Sequence, residues 1–328
     1  MKTRLIAALA VLVVAAAAAA LWWMWSPGPR LAQPVLVALA PGSSRATIAH
    51  QLAASGVVRS TAGFELWTLL HRRRTLKAGT YQFHGGEPVS AVFAALASGR
   101  VYTLAVTVPE GYNRFDIARE LGRQGLAAPA AFLTATADPG PIRDLDPEAV
   151  SLEGYLYPAT YRIAPGTPVE AIVAMMTGRF RQQLRRDGTP PAGVHAWVTL
   201  ASLVEKETAA PAERALVAGV FTNRLARGLP LQCDPTVIYA ALLAGNYTGT
   251  LGRADLERAS PYNTYRQPGL PPGPIANPGQ AALTAAAHPA VTPYLYFVSD
   301  GHGAHRFART LAQQERNVQL YLRTLHVR

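Results

Sequence analysis

Glu205 and Glu207 stand two positions apart in Ala201-Ser-Leu-Val-Glu205-Lys-Glu207-Thr208, and polar residues gather downstream of them in Pro- and Gly-rich segments. Gln232 and Asp234 lie in Leu231-Gln-Cys-Asp-Pro235. Tyr262, Asn263 and Tyr265 lie in Ser260-Pro-Tyr-Asn-Thr-Tyr265, and Gly269-Leu-Pro-Pro-Gly-Pro274 follows. A carboxyl at the border of core and solvent is partly desolvated, which raises its pKa toward the range where it can deliver a proton. Amides and phenols hydrogen-bond hydroxyl and N-acetyl groups, and tyrosine faces stack on sugar rings. Prolines in the turns pre-order the loops at little entropic cost. This mixture suits a cleft for a polyhydroxylated ligand better than it suits a core.

The elements that must position these residues are legible in outline. Residues 195–208 read as a helix whose apolar stripe is Trp197, Leu200, Ala201 and Val204. At about 100° per residue, Glu205 and Glu207 fall on opposite flanks of the stripe, and Lys206 points away from the core. Periodicity gives the chemistry to neither glutamate. Further helices are expected at about 168–186, 212–227 and 279–287, with Gly228 stopping the second of these. Tyr294–Val298 reads as a strand, Arg306-Phe307 as part of another, and a last helix starts near Leu311. Gln232 and Asp234 are expected in a Pro-rigid loop. Mixed helices and short strands without βαβ alternation predict an α+β class.

The N-terminal half contains a duplication. Val37-Ala-Leu39-Ala-Pro-Gly42, Ile48-Ala49, Leu52 and Gly56-Val57 recur at a constant offset as Val106-Thr-Val108-Pro-Glu-Gly111, Ile117-Ala118, Leu121 and Gly125-Leu126. Each copy reads as a strand, a Gly turn and an amphipathic helix ended by Gly. The units are similar to LysM-type glycan-binding units; a plain structural unit is the alternative. Between them, 76–83 reads as a strand and 90–98 as a helix. The stretch Asp138-Pro-Gly-Pro-Ile-Arg-Asp-Leu-Asp-Pro147 is the most loop-like, and the main domain boundary is expected there.

The length of 328 residues suits two domains or one large one. Lys2 and Arg4 precede an uncharged run, residues 5–25, long enough to cross a bilayer, with Trp22, Trp23 and Trp25 at its far end. An uncleaved anchor is expected, with a cleaved signal peptide as the alternative. The basic end places residues 1–4 in the cytoplasm and the remainder beyond the inner membrane, in the periplasm. Residues 26–33 read as a stalk, 34–146 as the LysM-like region and 147–328 as the catalytic domain. Cys233 is the single cysteine, so neither an intrachain disulfide nor a Cys-based zinc site can form, and it reads as a small buried residue. The formal net charge is +11, but the basic residues are scattered and no nucleic-acid motif accompanies them. Anionic membrane or wall polymer is the better match for that field, with a merely soluble basic surface as the alternative. His302 and His305 lack a third ligand and read as part of a solvated loop; no metal and no cofactor are expected.

Glu153-Gly-Tyr-Leu-Tyr-Pro158, Ala201–Thr208, Val220-Phe-Thr-Asn-Arg-Leu225, Asp234-Pro-Thr-Val-Ile-Tyr239, Tyr262–Tyr265, Gly269–Gly273 and Tyr294–Val298 occur in this order. Together they resemble the endolytic murein transglycosylases, the MltG or YceG-like proteins. The resemblance implies cleavage inside peptidoglycan glycan strands with 1,6-anhydro-N-acetylmuramic acid ends, and work beside peptidoglycan synthases. It implies a catalytic glutamate in the Glu-Lys-Glu-Thr motif, read as Glu207 with Glu205 as the rival. Glu153, Gln232, Asp234, Tyr262, Asn263 and Tyr265 are the candidate substrate-binding residues. The chain departs from the family pattern at Ala159, at Cys233, where Thr is frequent, at Ala304 and at Arg316. Two other functions remain open: a hydrolase pairing Glu207 with Glu153 or Asp234, and a non-catalytic wall-binding scaffold.

Overall fold

In Arg30–Leu39 and Gly79–Gly85, buried residues alternate with exposed ones over the paired stretch, as in a sheet with one covered face. The computed structural model, which describes residues 2–188, 193–208 and 210–326, pairs these segments antiparallel as β1 and β2, with Val37 opposite Tyr81 and Val35 opposite Phe83. Between the strands run α2 (Arg45–Ala54) and α3 (Thr61–Leu70). Ser44 and Ser60 start them by accepting from the backbone N–H of Thr47 and Gly63. Ile48, Leu52 and Phe64 share a core with Tyr81 and Phe83 and with Phe93 and Leu96 of α4 (Val89–Ser98).

The second copy repeats the order. It comprises β3 (Leu104–Val108), α5 (Arg114–Arg123), α6 (Pro129–Ala137) and β4 (Ala159–Ile163), with β3 paired to β4. The turn glycines Gly42 and Gly111 take φ of 79° and 76°, a conformation a side chain would strain. Both copies therefore run strand, helix, helix, strand.

The chain divides into two compact units, residues 1–104 with 162–166 and residues 105–161 with 167–328. The division falls at the start of the second copy, and not at 138–147 as the composition of that stretch suggested. Residues 138–147 lie inside the second unit because their acidic residues have partners there. Ile142 is buried, and buried Asp146 accepts from the Tyr155 hydroxyl and bonds His195 Nδ1 at 2.8 Å.

In the first unit, α1 (Lys2–Trp25) contains one segment, Ile6–Trp25, long and apolar enough to cross a membrane. The expected stalk at 26–33 is folded instead. Pro27 bridges Val58, Pro29 accepts from the N–H of Gly86, and β1 begins at Arg30. A Cβ on Gly28 would lie 2.5 Å from the Val57 carbonyl oxygen, so the chain there packs tightly.

The second unit is built round α8 (Gly193–Glu207). Every residue from Trp197 to Val204 is buried, so α8 is a central helix and not the one-sided amphipathic helix its stripe suggested. Two of its polar side chains bond across the core: Trp197 Nε1 donates to the Leu283 carbonyl at 2.8 Å, and Ser202 Oγ donates to Thr199 O and accepts from Ile275 N–H. Around it pack α9 (Arg214–Ala226), α10 (Asp234–Leu243) and α12 (Gln280–Ala287). The unit also contains α7 (Val169–Asp187) and the short α11 (Arg253–Leu256). Strands β5 (Tyr296–Ser299) and β6 (His305–Ala308) pair antiparallel, with Phe297 opposite Phe307, and α13 (Leu311–His326) packs on both.

Candidate active site

The buried stretch of α8 ends at Val204, and the last turn carries Glu205, Lys206 and Glu207 out toward solvent. Glu207, half-buried, opens on a cavity of about 470 Å³ that Gln232, Asp234, Tyr265, Phe297 and His305 also line. Burial lifts the Glu207 carboxyl above its ordinary range. A hydrogen bond from the Cys233 thiol works against the rise, the Asp234 charge adds to it, and His305 lowers it. Cys233 is itself buried, and burial keeps its thiol protonated and able to donate.

Gln232 is held in an unusual backbone conformation. Gln232 has φ of 53°, a left-handed value that non-glycine residues adopt at a cost of roughly 1–3 kcal/mol. Thr264 holds it there: Gln232 N–H donates to the Thr264 carbonyl at 3.1 Å, and Cys233 N–H donates to Thr264 Oγ1 at 3.0 Å. The Gln232 side-chain oxygen accepts from Arg224 Nη2 at 2.7 Å, which leaves its amide NH2 as the donor end. Arg224 also donates from Nε to the Pro230 carbonyl and from Nη1 to the Leu295 carbonyl.

Asp234 is the first residue of α10, and Pro235 follows it in the first turn, where a missing N–H costs nothing. The expected Pro-rigid loop is thus a helix start, with the carboxylate at the positive end of the helix dipole. Tyr265 donates its hydroxyl to Asp234, and burial followed by this bond raises the phenol's pKa. On the far wall Glu213 clasps His305, with one carboxylate oxygen taking its backbone N–H at 3.0 Å and the other its Nδ1 at 2.7 Å.

Of the sequence candidates, Glu207, Gln232, Asp234 and Tyr265 are brought together. Glu153, Tyr262 and Asn263 do not line this cavity. Glu153 is 1% exposed; it accepts from the Arg114 N–H and from Asn277 Nδ2, and burial pushes it up to about 7. Tyr262 packs on Tyr239 with ring centroids 5.1 Å apart. Asn263 is fully buried and donates to the carbonyls of Leu256 and Arg258 while accepting from Tyr265 N–H. Amide and phenol types that suit sugar hydroxyls here serve backbone groups.

Glu205 leaves α8 on the other flank. It accepts from the N–H of Gly279, the residue that caps α12, at 3.0 Å. Burial raises its pKa, and the nearby Glu110 charge adds to the rise. Sequence reasoning missed Thr264, Arg224, Glu213, His305 and the role of Cys233. Thr264 lay within a quoted motif, whereas nothing in local pattern marked Glu213 and His305 as partners ninety-two positions apart.

The YceG-like family model matches residues 37–320. An endolytic murein transglycosylase of Bacillus subtilis (strain 168) is 33% identical over 311 residues, covering 88% of this chain and 85% of its own. An endolytic murein transglycosylase of Streptococcus pneumoniae (D39) is 30% identical over 319 residues, covering 87% of this chain but 58% of the pneumococcal protein. The crystal structure of a YceG-like protein from Listeria monocytogenes superposes with a TM-score of 0.55 at 32% identity, covering 87% of this chain and 99% of that one. With the family model spanning most of its length, the chain belongs to the YceG-like family.

Proposed function

We propose that this protein is an endolytic lytic transglycosylase of peptidoglycan, with Glu207 as its acid–base residue. The observation that carries the reading is Glu207 itself: a desolvated carboxyl with a raised pKa, opening on a cavity lined by Gln232, Asp234 and Tyr265. The names of its Bacillus and pneumococcal relatives supply the substrate class.

Protonated Glu207 gives its proton to the glycosidic oxygen between N-acetylmuramic acid and N-acetylglucosamine as the C1–O bond breaks. The muramyl C6 hydroxyl then closes on C1 and returns its proton to the Glu207 carboxylate. No water is consumed, one 1,6-anhydro end forms, and a single carboxyl serves both steps, unlike the pair a hydrolase uses. Asp234 supplies negative charge to the oxocarbenium-like transition state, and the Gln232 amide NH2 donates to a substrate carbonyl or hydroxyl. Tyr265 fixes Asp234 through its hydroxyl.

The rest of the chain fits work on nascent wall. Ile6–Trp25 anchors the protein in the inner membrane, with residues 1–4 cytoplasmic and the remainder periplasmic. The two strand–helix–helix–strand copies hold glycan as LysM-like units, and peptidoglycan synthases are the natural neighbours of such a cutter.

The test is mass spectrometry of purified peptidoglycan after digestion by the full-length protein in detergent, beside its Glu207→Gln variant. Anhydromuramyl ends are expected from the first and none from the second, with thermal unfolding unchanged. Reducing ends would establish the two-carboxylate hydrolase, and intact glycan that retains the protein would establish a binding scaffold.

A further inference from the structure

We infer that His305 is a substrate-contacting residue of the Glu207 cavity, presenting its imidazole Nε2 to a glycan hydroxyl, with Glu213 as the positioning residue that aims it. The inference rests on the proposed reading of the cavity as a glycan cleft, and it assigns to that cleft a residue the sequence left in a solvated loop.

Three observations carry it. His305 and Glu207 line the same cavity. Both oxygens of the Glu213 carboxylate are committed to His305, one to its backbone N–H and one to Nδ1, so the ring can neither rotate nor flip without losing a bond. The ring also stands edge-on to Phe297, at 5.4 Å between centroids and 87° between planes, which fixes its face. A carboxylate at Nδ1 makes that nitrogen the donor of the bond, and Nε2 is left as the ring's second hydrogen-bonding atom. Among the described residues Nε2 has no protein hydrogen bond and is not buried, so it is open to a ligand of the cavity that His305 lines.

Glu213 ends the short turn Pro211–Glu213 that leads into α9, while His305 begins β6. The clasp thus joins the start of α9 to the hairpin wall of the cavity. A wholly structural clasp would need no free nitrogen in the cavity; a site that orients a sugar does. Pyranose hydroxyls are donors as well as acceptors, so a sugar can meet Nε2 in either role.

The experiment uses the full-length chain in detergent with Glu207→Gln as the parent, so that glycan is bound without turnover. The probe is soluble, peptide-free peptidoglycan glycan strands. Adding strands is expected to shift the His305 Cε1–H resonance, assigned by its loss in His305→Ala. That second substitution is expected to weaken binding about tenfold, as for one lost hydrogen bond to a ligand. In the active enzyme, His305→Gln, which keeps a polar atom near the Nε2 position, is expected to recover most of the KM that His305→Ala loses. Glu213→Gln is expected to raise KM more than it lowers kcat. A parent that binds strands while His305→Ala binds them equally, with no shift of the resonance, overturns this inference and leaves the glycan reading standing. A parent that binds no strands overturns both.

Discussion

Glu205 and Glu207 leave the last turn of α8 on different flanks, and only Glu207 reaches the cavity with Asp234 and Tyr265; Glu205 is held by the backbone N–H of Gly279. Two positions along a helix turn the side chain by roughly 200°, so neighbours in sequence become residents of different sites. The separation follows from α8 being buried all round up to Val204. Its final turn is the first to meet solvent, and it does so on two sides.

Glu205→Ala should therefore keep the cleavage activity and lose stability, because it removes the acceptor at the start of α12. A lost cap of this kind costs about 1 kcal/mol. Rates of glycan release and a urea midpoint check the two halves. Loss of cleavage with an unchanged midpoint would transfer the proton chemistry to Glu205.

Cys233→Val should move the alkaline limb of the pH–rate profile to higher pH. The thiol donates to the Glu207 carboxylate and so favours its charged form; without that donor the acid keeps its proton longer. Cys233→Thr restores a donor and should restore the limb. Initial rates between pH 4 and 9 on peptidoglycan decide, and identical profiles for Cys233→Val and wild type would remove the thiol from the mechanism. The family's frequent Thr at this position supplies one hydroxyl donor where this chain supplies one thiol.

Glu153 should make the protein less stable as pH rises. Burial lifts its carboxyl from an ordinary 4.5 to about 7, so the folded state binds the proton more tightly than the unfolded chain does. Its contribution is fully present below the unfolded value and is lost as pH climbs through about 7, a change of about 3 kcal/mol by linkage. Urea midpoints of the full chain between pH 4.5 and 8 should fall, and Glu153→Gln should flatten that part of the curve. Parallel curves for the two proteins would contradict the burial argument.

Gly154→Ala should destabilise by more than about 2 kcal/mol. Gly154 has φ of 88°, and a Cβ there would lie 2.5 Å from Pro274. Thermal unfolding measures the effect, and an unchanged midpoint would mean that the Pro274 ring yields.

Elements with strong period were legible in the sequence. The helices at 169–187, 193–207, 214–226 and 280–287 fall within a few residues of their expected bounds, and the duplicated copies match in turn and burial. What stayed hidden depends on partners far along the chain. Residues 138–147 look like a linker by composition, yet Asp146 is paid back by Tyr155 and His195. Asn263 and Glu153 have the residue types of a sugar site and spend them on backbone donors and acceptors. Gln232 has no local mark of its left-handed backbone, because Thr264 imposes it from another loop. The start of α10 was readable, since Pro in a first turn is a helix signal, but the neighbouring turn residues drew it toward a loop.

Trp25 ends α1 by donating its indole N–H to the Gly63 carbonyl at 3.1 Å and setting its ring edge-on to Trp67. A Cβ on Gly63 would come within 2.7 Å of the Met24 carbonyl oxygen, so backbone meets backbone at this joint. A helix moored this way has no slack. With α1 in a bilayer, as proposed, the first folded unit would be a collar on a mast, turning with the helix instead of swinging from it. On that proposal, inserting a short Gly-Ser spacer after Trp25 would turn the collar into a tethered float that samples a far larger volume around the helix end.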